Sequence, residues 1–368
     1  MSAVHDGRAR ASRKVLDEQV LAWIAEGVDA PADEARFDAL ARATFLHQLE
    51  HNEPYRKLCK AFGRAAGDVG HWSEIPSVPT GAFKEARLAA FPEPRGVQVF
   101  RTSGSSTQRR GELHLDTLAL YDASLRATFR AYVCPDPEPV RILVMAPPLR
   151  DAPDSSLSYM FDAAVRDLGS ADSAVLFGHG GLDMAIAMTA LQRARTPVAV
   201  CGTAFAFVHL IDGMKAVGLQ LTLPEGSRVM ETGGSKGRSR ELSRQELHGG
   251  IREALGVPAE RIVNQYGMCE LGSQFYEPAL PTGVATERKR IPPWVRTRVV
   301  DPERLTDVDE GEPGLLIHYD LANTGSVVAV QTADEGTLTP EGLEVRGRIA
   351  GAEARGCSIA ADALLGGR

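Results

Sequence analysis

Phe100-Arg101-Thr102-Ser103-Gly104-Ser105-Ser106-Thr107-Gln108-Arg109-Arg110-Gly111 is the stretch on which the interpretation of this chain turns. Before it, Gly96-Val97-Gln98-Val99-Phe100 reads as a short strand; after it, a helical pattern is expected from near Leu115. A strand that ends in small, hydroxyl-rich residues and two arginines can grip a polyphosphate. Backbone N–H groups reach oxygens closely there, hydroxyls add donors, and Arg109 and Arg110 add charge. Taken alone, the same loop also reads as a solvated connector.

Around the loop, apolar strand-like runs fall at Val140–Met145, Ala174–Phe177, Val198–Cys201, Val229–Glu231 and Ile262–Tyr266. Helical stretches fall at Leu115–Val133, Leu157–Leu168, Leu182–Arg193, Phe205–Val217 and Arg244–Leu255. This alternation predicts βαβ units and a mainly parallel sheet, whose ligands collect at the carboxyl ends of the strands. Upstream, Val15, Leu16, Gln19, Val20, Trp23 and Ile24 mark one amphipathic helix, Asp33 caps a second, and a third runs near Pro54 to Phe62. Two prolines then force an extended path through Ile75–Thr80. Beyond Pro292, short β-type runs at Arg296–Val300, Leu315–Tyr319, Val327–Gln331 and Leu343–Val345 predict a small antiparallel sheet or barrel. The expected organisation is a helical layer over 1–95, an α/β nucleotide- and acyl-binding core over 96–290, and a β-rich subdomain with a cysteine-bearing tail over 291–368.

Composition narrows the function classes. The chain has 368 residues, 43% hydrophobic and 24% charged, as in ordinary globular proteins. A net charge of -7, with no Lys/Arg block, argues against nucleic-acid binding. Five scattered cysteines without a Cys-x-x-Cys pair argue against a disulfide framework or a structural zinc. No apolar run is long enough to span a bilayer, the start lacks an apolar signal core, and a cytoplasmic protein is expected. The Walker pattern Gly-x-x-x-x-Gly-Lys-Ser/Thr is absent from the sequence.

Four further stretches carry chemistry. In Asn264-Gln265-Tyr266-Gly267-Met268-Cys269-Glu270, a ring beside a glycine can stack on a base, and a carboxylate just beyond can hold Mg²⁺; the plain alternative is a strand end with an exposed glutamate. Thr232-Gly233-Gly234-Ser235-Lys236-Gly237 can let a purine lie against backbone, or be only a turn. Asp334 offers a carboxylate for two ribose hydroxyls, or simply forms a turn. In Glu353-Ala354-Arg355-Gly356-Cys357-Ser358, Arg355 can lower the thiol pKa of a nucleophile, although most free cysteines are small apolar residues.

In this order the stretches resemble the adenylate-forming superfamily of acyl- and aryl-acid ligases. Thr102–Gly111 is similar to its phosphate loop, Gly233–Lys236 to its adenine segment, and Tyr266–Glu270 to its Tyr-Gly-x-Thr-Glu strand end. Asp334 is similar to its ribose aspartate, and Gly347-Arg348 to the pair before its hinge. Within the superfamily the chain most resembles the LuxE-type acyl-protein synthetases. Val78-Pro79-Thr80-Gly81-Ala82-Phe83-Lys84, Tyr266–Phe275, Pro292-Pro293-Trp294, Asp320-Leu321-Ala322-Asn323 and Arg355-Gly356-Cys357-Ser358 carry that likeness, which covers nearly everything from Ile75 onward.

The resemblance implies the large α/β N-terminal domain of an adenylate-forming ligase, with mainly parallel sheets flanked by helices plus a small β-rich subdomain. It implies ATP and Mg²⁺ as cofactors and a carboxylic acid, of fatty type, as substrate. Thr102, Ser103, Gly104, Ser105, Ser106 and Thr107 would hold the phosphates. Gly233, Gly234, Ser235, Tyr266 and Gly267 would hold the base, Asp334 the ribose, with Arg348 beside the nucleotide. Glu270 would place the metal, and Cys357 would take the acyl group for an acyl reductase or carrier protein; a homo-oligomer is compatible with the sequence. The alternative is a lidless adenylating enzyme for an aryl or other acid. Cys269 replaces the usual threonine, Thr107 the second glycine, and Arg109-Arg110 the usual Pro-Lys. The superfamily's C-terminal lid domain, with its lysine, is expected to be absent. The acyl pocket is expected near Thr203–Phe207 and Gly178–Leu182.

Overall fold

The structure is a computed structural model that describes residues 2–103, 109–178, 181–233 and 242–349. The chain forms two compact units that interleave in sequence. The first comprises Met1–Ala127, Met268–Gln274 and Ile291–Arg368; the second comprises Thr128–Gly267 and Phe275–Arg290.

In the first unit, the helices Ser2–Ala25, Glu34–His51 and Glu53–Ala61 come first in the chain. Asp33 opens the second of them by accepting the Arg36 N–H at 2.9 Å, as expected. Asn52 ends that helix and starts the next, its side-chain oxygen accepting the Tyr55 N–H. Phe37, Leu40 and Phe45 face inward, and Trp23, Phe37, Trp72 and Tyr319 form a run of edge-to-face rings. Gln48 is buried; its Nε2 donates to the Asn323 and Thr324 carbonyls and its Oε1 accepts the Val328 N–H. These bonds fasten the N-terminal helices to the loop that precedes the Ala329–Thr339 strand.

That strand is the spine of a five-stranded sheet ordered Val78–Pro79, Ala329–Thr339, Gly314–Asp320, Val295–Val300, with Gly342–Arg348 also on Ala329–Thr339. All its pairings are antiparallel except the first, in which Val78 lies beside Val330. The antiparallel strands after Pro292 agree with the sequence. The extended Ile75–Thr80 path supplies the additional edge strand.

One expectation is corrected here. The loop after Phe100 does not lead from a parallel strand into a helix. It joins the two strands of an antiparallel hairpin, Gln98–Arg101 and Glu112–Leu115, with Arg101 opposite Glu112. The helix begins only at Ala119. Glu112-Leu113-His114-Leu115 alternates with period two, and its two leucines are buried. Both strands of the hairpin belong to the first unit, and the next helix follows only after Glu112–Leu115.

The second unit is built on a six-stranded sheet ordered Phe275–Tyr276, Ile262–Tyr266, Arg228–Thr232, Val198–Thr203, Arg141–Met145, Ala174–Val175. Every pairing is parallel except that of Phe275–Tyr276. Its central runs are apolar on both faces because helices cover them. Leu143, Val200, Phe207, Leu210, Val229 and Ile251 meet in one continuous core. Ser243 and Glu246 form a capping box at the start of helix Arg244–Leu255, and Gly256 ends it at a φ of 66°. No helix among the described residues is long and apolar enough to cross a membrane.

Candidate active site

Residues 268–274 connect strands Ile262–Tyr266 and Phe275–Tyr276, and they carry Glu270 into the first unit. The segment is bolted by a buried polar chain. The Trp294 indole N–H donates to both Ser124 Oγ and Ser273 Oγ at 3.1 Å. Ser124 donates to Ser273, and Ser273 donates to Asp320 at 2.8 Å. Burial raises the Asp320 carboxyl to about 6, against the Ser273 hydroxyl and the backbone N–H groups of Ala322, Ser273 and Gly272, which favour the charge. Asn323 Nδ2 donates to the Glu270 carbonyl at 2.8 Å. Tryptophan, serine, aspartate and asparagine from three separate motifs thus hold one short segment still.

Glu270 itself is buried, and its carboxyl faces the base of the loop hairpin. There Thr102 and Gly111 close the hairpin: the Thr102 N–H donates to the Gly111 carbonyl, and the Gly111 N–H donates to Thr102 Oγ1 at 2.9 Å. A Cβ on Gly111 would meet Thr102 Cγ2 at 3.1 Å, Phe83 Cβ at 3.4 Å and Glu270 Oε1 at 3.6 Å. A side chain here would press on the Thr102 methyl, which would have to give by a few tenths of an ångström. Arg110 folds back on the hairpin, its Nε donating to the Thr102 carbonyl at 2.6 Å, while Arg109 lies 3.5 Å from Glu85. The arginines beside the loop therefore brace its base.

Burial pushes the Glu270 carboxyl up to about 7; a hydrogen bond from its own backbone N–H, then Arg348 and more weakly Lys84, pull it down less strongly, and Asp334 adds to the rise. Asp334 and Arg348 are register partners on adjacent strands and form an ion pair at 3.6 Å. Thr102, Glu270, Asp334 and Arg348 of the expected site thus meet in the first unit. Lys84, quoted only within a longer motif, acts on the same carboxyl from the short helix Ala82–Glu85. Ser103 is described as exposed.

Gly233, Tyr266 and Gly267 belong to the second unit. Gly233 has a φ of 76°, and Tyr266 is half-buried with its ring 5.6 Å from that of Phe275. Thr232, just before Gly233, donates to the Gln265 carbonyl at 3.1 Å, which ties the ends of the two neighbouring strands. Of the apolar pair expected at the acyl pocket, Phe207 is wholly buried in the core, whereas Phe205 is half-buried against His209. Gly104, Ser105, Ser106, Thr107, Gly234, Ser235 and Cys357 lie outside the described residues. The other four cysteines, Cys59, Cys134, Cys201 and Cys269, are buried. Burial pushes the thiols of Cys59 and Cys134 up to about 12 and that of Cys201 well above its ordinary value.

The chain is similar to several known proteins. The family described as "Acyl-protein synthetase, LuxE" matches residues 9–365. The long-chain-fatty-acid--luciferin-component ligase of Aliivibrio fischeri is 22% identical over 307 residues, covering 82% of this chain and 79% of its own length. The protein of the same name from Vibrio harveyi is 21% identical over 334 residues, covering 87% and 85%. Among solved structures, an open conformation of 2-hydroxyisobutyryl-CoA ligase in complex with 2-HIB-AMP and CoA superposes with a TM-score of 0.63. It is 16% identical, with 86% of this chain and 70% of that one covered, a likeness of fold. The chain belongs to the LuxE acyl-protein synthetase family.

Proposed function

We propose that this enzyme joins a fatty acid to ATP as an acyl-adenylate and then passes the acyl group to its own Cys357 for delivery to an acyl reductase or carrier partner. The observation that carries the reading is the meeting of Thr102, Glu270, Asp334 and Arg348 at the base of the loop hairpin. A carboxylate oxygen of the acid attacks the α-phosphorus, the bond from that phosphorus to the bridging oxygen breaks, and pyrophosphate leaves. The work is positioning and charge neutralisation. Thr102 to Thr107 hold the phosphates, Arg348 adds positive charge, Asp334 receives the ribose hydroxyls, and Tyr266, with Gly233, Gly234, Ser235 and Gly267, receives the base.

Glu270 would hold a magnesium ion, its carboxylate being a hard oxygen donor. Bound there it would neutralise phosphate charge. In the second half-reaction the Cys357 thiolate attacks the acyl carbon, the bond to the AMP oxygen breaks, and a thioester remains. The burial of the four other cysteines supports Cys357 as the carrier. The fatty chain is supported by the two relatives, both named as long-chain-fatty-acid ligases.

Incubating the protein with ATP, magnesium and radiolabelled acids, fatty and aromatic, tests this on a denaturing gel. Label is expected on wild type with a fatty acid and is expected to vanish in Cys357→Ser while pyrophosphate release persists. Pyrophosphate release without label on the wild type would sink the self-acylation step, and a response to aromatic acids alone would sink the fatty substrate.

A further inference from the structure

In the second unit, two buried glutamates hold one asparagine near the end of the Ile262–Tyr266 strand. Glu277 has no exposed surface. Its carboxylate takes both terminal nitrogens of Arg244, Nη2 at 2.7 Å, and lies 3.4 Å from Lys289 Nζ. It also accepts the Asn264 backbone N–H at 3.0 Å, and its own N–H donates to the Asn264 carbonyl. On the neighbouring strand, Glu231 is the register partner of Asn264, accepts its Nδ2 at 2.7 Å and lies 3.1 Å from His248 Nε2. Asn264 is therefore gripped through its backbone by one carboxylate and through its side chain by another. Tyr266 follows on the same strand.

Stability alone does not explain this arrangement. Lys289, Glu277 and Glu231 are buried while Arg244 keeps one partly exposed side, and burial pulls the Lys289 ammonium down from its ordinary value while Glu277 opposes the fall. Apolar side chains of similar volume usually serve a core at least as well as buried ions. What ions add is direction: the bidentate fork of Arg244 fixes the Glu277 carboxylate in a plane, and that plane fixes the strand. Arg244 also begins the helix capped by Ser243, so the grip joins that helix to the Ile262–Tyr266 strand.

We propose that Glu277, Arg244 and Lys289, with Glu231, are positioning residues for the nucleotide base: by fixing Asn264 they set the attitude of Tyr266, and hence both affinity and base selectivity. The inference rests on the reading above that Tyr266 receives adenine. It names no residue that touches the base and assigns the cluster its effect through Tyr266.

The test is steady-state pyrophosphate exchange by the full chain with ATP and with GTP, beside calorimetric nucleotide binding and thermal melting. The triple variant Arg244→Met/Glu277→Leu/Lys289→Met replaces the ions together. It is expected to melt cooperatively near the wild-type temperature, with KM for ATP about tenfold higher and KM for the acid within about twofold. The preference for ATP over GTP should fall with it. A cooperative melt with unchanged ATP KM and unchanged base preference overturns the proposal, as does an equal rise in both KM values. If the triple variant does not fold, Glu277→Gln, which keeps the shape and removes the charge, is measured by the same criteria. Wild type that binds ATP but exchanges pyrophosphate with no acid refutes the adenylation reading instead. The cluster is then judged by the ATP and GTP dissociation constants of the variants.

Discussion

Glu270 and Glu277 are both buried glutamates, one in each unit, and they are buried on different terms. Glu277 has an arginine fork, a lysine and a backbone N–H in direct contact. Glu270 has its own backbone N–H in hydrogen-bond contact and feels Arg348 and Lys84 by charge; these offset less than burial imposes, and its carboxyl is pushed up to about 7. Surrounded by contacting donors, a carboxylate becomes a staple whose charge is spent on structure. Buried with a partial offset, it keeps an appetite for a proton or a cation. The first arrangement suits a scaffold; the second fits the metal-placing role proposed above for Glu270.

The comparison fails if the two glutamates respond alike to replacement. Glu277→Leu alone leaves Arg244 and Lys289 buried with one carboxylate fewer, and should lower unfolding free energy by about 3–5 kcal/mol in urea titrations. Glu270→Gln should leave that stability intact, because an amide avoids the burial of charge, yet reduce magnesium-dependent pyrophosphate exchange about 10²-fold. A Glu270→Gln enzyme with normal exchange would remove Glu270 from the site.

Burial without full compensation has a basic counterpart in His318, wholly buried beside Thr297 and lowered to about 3. As pH falls, the unfolded chain takes its proton first, near the ordinary 6.5. The stability contributed by the neutral ring is therefore complete above that value and is lost progressively as pH drops toward about 3. His318→Asn should flatten this acid limb, read as a smaller difference in unfolding free energy between neutral and acidic buffer. An unchanged limb would place the acid sensitivity elsewhere.

The smallest effect concerns the bolt behind Glu270. Ser273→Ala removes the hydroxyl donated to Asp320 and should cost about 1–3 kcal/mol. It should also depress pyrophosphate exchange more than the lost stability explains, because the 268–274 segment loosens; equal activity at matched folded fraction would make the bolt purely structural.

Much of the fold was legible because helices and strands print different periods on a chain. The strands Arg141–Met145, Val198–Thr203 and Ile262–Tyr266 and the helix Arg244–Leu255 fall where the apolar runs and the helical stretches are expected. The strand Glu112–Leu115 escaped because four alternating residues are too few to stand out before a longer helical pattern. The motif residues Trp294, Asp320 and Asn323 were visible as letters, but their joint work on the Glu270 segment was not.

Local sequence, then, fixed the order of elements, the loop and the Tyr266–Glu270 strand end, because period, capping and glycine placement act over a few residues. Bringing Val78 beside Val330, Glu270 beneath Gly111, and Glu277 onto Arg244 and Asn264 depended on folding in three dimensions. Those partners are distant in sequence and share no pattern. Packing space and the need to satisfy buried charge selected them, and neither constraint exists until the chain has closed around them.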